Sequence, residues 1–125
     1  MIDAPGHTAA GLRWERFSLV EQLANVGSEV ERSIRAHDAG NIERFNNALG
    51  RALALFDLTA SDPRWPLHRR REVLRAREEF CRLFFDTNPP AGSADGLRRY
   101  FLYFGVAARR RSESITGALN PGAPA

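Results

Sequence analysis

Lysine is absent from this 125-residue chain: all 18 basic residues are arginine. Nothing basic then titrates until far above neutrality, so the isoelectric point sits near 10.0 while the formal net charge is only +3. Arginine without lysine marks the coding bias of a GC-rich genome before it marks chemistry. Cysteine is almost as scarce. A single Cys81 excludes an internal disulfide and suits a reducing compartment. On the apolar side of its helix it reads as a buried structural thiol rather than a reactive one. No apolar run approaches the roughly 20 residues of a membrane span, and residues 1–7 lack the basic and apolar regions of a signal peptide. The expectation is a cytoplasmic protein without membrane association. A net charge of +3 does not by itself call for a nucleic-acid partner. Histidine is limited to His7, His37 and His68, none of which follows a glutamate at the Glu-x-x-His spacing of carboxylate-bridged metal bundles. No metal and no cofactor are expected.

What the chain does have is helical periodicity. At 43% hydrophobic and 26% charged it has the composition of one globular domain. Residues 1–12, with Pro5, Gly6 and Gly11, read as a flexible lead-in. From Trp14 to about Ala39, Leu19, Leu23, Val26, Val30 and Ile34 recur at spacings of three and four. Phe17, Val20, Ala24 and Gly27 widen that arc to about half the helix circumference. Gly40 stops the first helix and Asn41 caps the second, whose stripe is Ile42, Phe45, Leu49, Ala52, Leu53 and Phe56. Ser61-Asp62-Pro63 ends it near Ala60, and Pro66 suits the first turn of a third helix reaching about Asp86. Ser93 caps a fourth, with Leu97, Tyr100, Phe101, Phe104 and Ala108 inward and fraying after Arg111. The fold expected is all-α, an up-down-up-down four-helix bundle over residues 13–112, with a disordered tail at 113–125.

The third helix contains an oddity. At 100° per residue, Val73, Leu74, Phe80, Cys81, Phe84 and Phe85 share one arc, and Arg77 falls in its middle. A guanidinium taken out of water without a partner costs several kcal/mol, so other helices must supply acceptors. Asp57 and Asn46 border the second stripe, and Gln22, Asn25 and Glu29 form a polar strip on the first. The expectation is a buried polar network in which Arg77 pairs with Asp57 or Glu29, the amides of Gln22, Asn25 and Asn46 completing its donors. Such a network either fixes helix register or lines a ligand pocket.

Arg32 and His37 carry a second pattern, an arginine and a histidine five residues apart, which resembles the motif of HEPN-type ribonucleases. The resemblance implies a metal-independent nuclease in which Arg32 holds the scissile phosphate and His37 transfers a proton. Ser33 replaces the larger polar residue often found after that arginine, and five residues span about 140° of a regular helix. The basic runs 69–71 and 109–111 read as solvated faces, the second also suiting a helix C-terminus. Leu102, Tyr103 and Val106 lie off the main stripe of the fourth helix and mark a candidate interface, so a homodimer is expected.

Residues 21–30 and 51–59, together with Asp62-Pro63, Arg77-Glu78 and Ala107-Ala108-Arg109, resemble a group of small bacterial helical proteins to which no activity is assigned. The resemblance implies one compact domain and draws attention to the same polar positions. The sequence thus points to a non-enzymatic interaction or small-ligand-binding module, with the ribonuclease built on Arg32 and His37 as the alternative.

Overall fold

The computed structural model describes residues 14–118, with side chains through Arg111. Four helices follow one another: α1 (Leu19–Asp38), α2 (Ile42–Ala60), α3 (Leu67–Phe85) and α4 (Ser93–Ala118). No strand occurs among the described residues. The lead-in expected over residues 1–12, and the tail beyond Ala118, lie outside them.

The helix boundaries follow from local chemistry. Ser18 Oγ accepts from Glu21 N–H at 3.2 Å, and Glu21 Oε1 accepts in return from Ser18 N–H at 3.2 Å. This reciprocal cap satisfies two amides that have no partner inside the helix. It starts α1 at Leu19 rather than at Trp14, and residues 14–17 form a turn closed by Phe17 N–H to Trp14 O at 3.1 Å. Gly40, at φ 69°, reverses the chain after α1, and Asn41 Oδ1 caps α2 through Arg44 N–H at 3.1 Å. Gly92, at φ 82°, leads into α4. That helix runs to Ala118, past Arg111 where its fray was expected. Residues 112–116 contain no glycine or proline to stop it.

α1 packs chiefly on α2 and α4, and α3 packs on the same two. The chain therefore goes up and down round the four sides of a bundle. Leu23, Val26 and Val30 of α1 meet Ala52 and Phe56 of α2, Val73 and Phe80 of α3, and Leu97, Phe101 and Phe104 of α4 in one core. Phe56 lies at its centre, its ring centroid 5.7 Å from Phe80 and 5.9 Å from Phe101. α1 and α4 approach closely at Gly27, where an added Cβ would stand 2.6 Å from Phe101 Cβ.

The buried face of α3 differs from the arc expected. Val73, Ala76 and Phe80 are buried, while Leu74 and Phe85 are exposed and Cys81 is half-buried. Ala76, too small to weigh in a hydrophobic stripe, marks the true centre of the face. Rotating the stripe toward it moves Arg77 to the edge of the bundle.

Candidate functional site

The six polar residues expected to form one network divide among separate places. Arg77 Nε donates to Asp57 Oδ1 at 3.0 Å, but the two side chains are 35% and 55% exposed. This is a surface ion pair between α3 and α2, not a charge inside the bundle, and its contribution to stability is small. Asn46 is exposed on α2, and Asn25 is exposed with its amide donating to Glu21 O at 2.9 Å. Gln22 and Glu29 are buried, in two different settings.

Gln22 belongs to a closed network beneath the α2–α3 connection. Its Nε2 donates to Trp14 O and to Asp62 Oδ2, both at 3.0 Å, and its Oε1 accepts from Trp65 Nε1 at 3.0 Å. Trp14 Nε1 donates to Thr59 Oγ1 at 3.0 Å. Arg64 covers the buried Asp62 carboxylate, Nη2 to Oδ2 at 2.7 Å and Nε to Oδ1 at 3.0 Å, and reaches Phe17 O at 2.8 Å. Its guanidinium also lies 4.7 Å from the centre of the Trp65 ring. Burial pushes the Asp62 carboxyl up, but hydrogen bonds from Arg64 and Gln22 outweigh it and hold the group below its ordinary value. Both amide donors and the carbonyl oxygen of Gln22 are engaged within the chain, so the network ties the turn at 14–17 to α1, α2 and the connection. Sequence reasoning missed Trp14, Thr59, Asp62 and Trp65. The available signal was the chain's two indoles, Trp14 and, just after the Asp62-Pro63 turn, Trp65, each needing an acceptor if buried.

Glu29 leads to the candidate site. Its carboxylate bridges two arginines, Oε1 to Arg32 Nη1 at 2.6 Å and Oε2 to Arg51 Nε of α2 at 3.1 Å. Glu31 does the same on the other flank of α1, Oε1 to Arg35 Nε at 2.9 Å and Oε2 to Arg98 Nε of α4 at 2.8 Å. Burial raises the Glu31 carboxyl, but the hydrogen bonds from Arg98 and Arg35 outweigh it and leave the group below its ordinary value. Each carboxylate clamps α1 to a neighbouring helix.

Arg32, Arg35, Arg44 and Arg51 line an open groove of about 570 Å³ between α1 and α2, together with Ala36, Ala39, Asn41, Asn47 and Ala48. Among the described residues Arg44 makes no ion pair, and Arg32, Arg35 and Arg51 each keep N–H donors with no protein acceptor. The lining holds no histidine, cysteine or carboxylate. It can hold an anion bidentately, and it offers no nucleophile or proton carrier.

Arg32 and His37, the nuclease-like pair, engage different neighbours. Arg32 lies against Glu29, whereas the His37 ring packs on Phe45 and Phe84 with centroids 5.3 and 5.0 Å away. α1 is regular helix through both positions, which keeps them apart around its axis. Leu102 and Tyr103 are 59% and 69% exposed, and with the half-buried Val106 they line a shallow groove on α4 beside Arg99 and Arg110. Among the described residues no three His, Cys, Asp or Glu side chains cluster, and no helix is long and apolar enough to cross a membrane. Compared with known proteins, the chain matches no family model, no curated protein and no solved structure.

Proposed function

We propose that the protein is a non-enzymatic binding module that takes a small anionic ligand in the groove between α1 and α2. The observation that carries this reading is four arginines around one groove, with Arg44 free of any carboxylate among the described residues. At about 570 Å³ the groove falls within the roughly 300–1,000 Å³ of small-molecule sites. Planar guanidiniums suit phosphate and carboxylate groups, which accept two parallel N–H bonds. The absence of histidine, cysteine and carboxylate from the lining favours holding a ligand over transforming it.

Calorimetric titration with inorganic pyrophosphate at low ionic strength tests the reading. Saturable binding is expected, weakened roughly tenfold in Arg44→Ala, the equivalent of one charge-assisted hydrogen bond. Arg44 is exposed and makes no ion pair among the described residues, so its removal leaves the bundle intact. Heats of dilution alone would remove the proposal. RNA cleavage that disappears in His37→Ala would replace it with the ribonuclease reading.

A further inference from the structure

We infer that the ligand is an extended phosphate chain without bases, lying across α1 from the α1/α2 groove into a second groove between α1 and α4. The inference rests on the anion-binding reading above and names its ligand class.

The second groove, of about 520 Å³, shares two of its walls with the first: Arg32 and Arg35 line both. The two arginines therefore form a ridge along the outer face of α1 rather than the end of a closed pocket. Arg44 and Arg51 stand on one side of that ridge and Arg98 on the other. Of the five guanidiniums along this path, Arg32, Arg35, Arg51 and Arg98 share three carboxylates, those of Glu29, Glu31 and Asp95, and Arg44 has none among the described residues. A compact anion seated in the first groove reaches the arginines of that groove alone. A helix with its side chains is about 10–12 Å across, so only a ligand that continues over α1 engages Arg98 as well.

The second groove is lined by Ala24, Gly27 and Gly105, which have little or no side chain, and by Glu31, whose carboxylate is held by Arg35 and Arg98. Neither groove offers an exposed aromatic ring: the first has none, and Phe101 in the second is buried against Gly27. Single-stranded nucleic acids draw much of their affinity from stacking bases on such rings. Successive cations in two adjoining grooves, without a stacking surface, suit a repeating anion whose units are phosphate groups alone.

The test compares pyrophosphate, tripolyphosphate and long-chain inorganic polyphosphate on the full-length protein, at equal phosphate concentration and several salt concentrations. Affinity per chain is expected to rise at least tenfold from pyrophosphate to the long chain, with a steeper loss in salt as more guanidiniums are engaged. Arg98→Ala is expected to weaken the long chain at least fivefold more than it weakens pyrophosphate, with Arg98→Lys recovering part of the loss. The wild-type length series needs no variant, so it decides the matter even if Arg98→Ala loosens the contact of α4 with α1. Pyrophosphate binding without length dependence would overturn the extended chain while leaving the anion site in place. No binding by any of the three would overturn both. Tighter binding by a homopolymeric RNA of matched phosphate number would also overturn it, showing that bases are read.

Discussion

Gln22 is fully buried and uses both amide donors and its carbonyl within the chain, so its neighbours depend on it for their own hydrogen bonds. Replacing it with leucine keeps the volume and removes the polar atoms, leaving the Trp65 indole N–H without its acceptor and taking one donor each from the Trp14 carbonyl and the Asp62 carboxylate. The cost expected for Gln22→Leu is about 2–3 kcal/mol. Urea unfolding followed by fluorescence of Trp14 and Trp65 reads it as a lower midpoint at unchanged slope, and an unchanged midpoint would show that water replaces the amide. Asp62 adds a pH dependence with a definite sign. Its carboxyl is held below the ordinary value in the folded state. The stability it contributes is complete above the unfolded pKa of about 3.9 and disappears as pH falls through the lower folded value. Asp62→Asn should therefore be less stable than the wild type near neutrality. The gap in unfolding free energy should narrow as the pH falls below the unfolded pKa and toward the lower folded one, where the wild-type carboxyl takes up its proton. A gap constant from neutral to acid pH would show that the carboxylate charge contributes nothing.

At the scale of elements, the close approach of α1 and α4 depends on one missing side chain. A methyl group on Gly27 would stand 2.6 Å from Phe101 Cβ, an atom close to the α4 backbone with no rotamer to escape into. Gly27→Ala gains about 1 kcal/mol of helix propensity but must push α4 away, at about 1–3 kcal/mol. A net loss of about 1 kcal/mol in urea unfolding is expected, and a gain would show that the helices slide apart freely. Four helices in their order, and the Asn41 cap, were legible because strong stripes and turn residues agree there. The start of α1 was also written in the sequence, as Ser18 and Glu21 at capping spacing, but the apolar Trp14 and Phe17 extend the stripe upstream and obscure it. The face of α3 was not legible. Ala76 buries almost no area and so carries almost no weight in a periodicity, yet it faces the core, whereas the larger Leu74 and Phe85 do not. An error of one position in the stripe's centre was enough to bury Arg77 on paper.

Over the whole molecule, the polar residues sort by helix pair rather than into one central network, and this arrangement could not be read from a stripe. Glu29 was identifiable as a border residue of α1, but its partners lie at Arg32 one turn on and at Arg51 across the bundle surface. In a chain with 18 arginines, spacing alone does not choose among them. The resulting arrangement sets stability against binding. Glu29 holds α1 to α2 through Arg51 and occupies Arg32 of its own helix, the same guanidiniums that an incoming anion would use. Glu29→Gln removes that internal competitor and raises the net charge by one from +3. The variant should be less stable by about 1–2 kcal/mol, since the carboxylate is largely buried while its arginines remain partly solvated. Its affinity for pyrophosphate should rise several-fold, most clearly at low salt where the field of the extra charge is least screened. Urea unfolding and calorimetry on the same preparation measure both sides. If affinity falls together with stability, the carboxylate orients the arginines for the ligand rather than competing with it. The groove would then have to be treated as a site assembled around Glu29, with the glutamate as part of its anion-holding geometry.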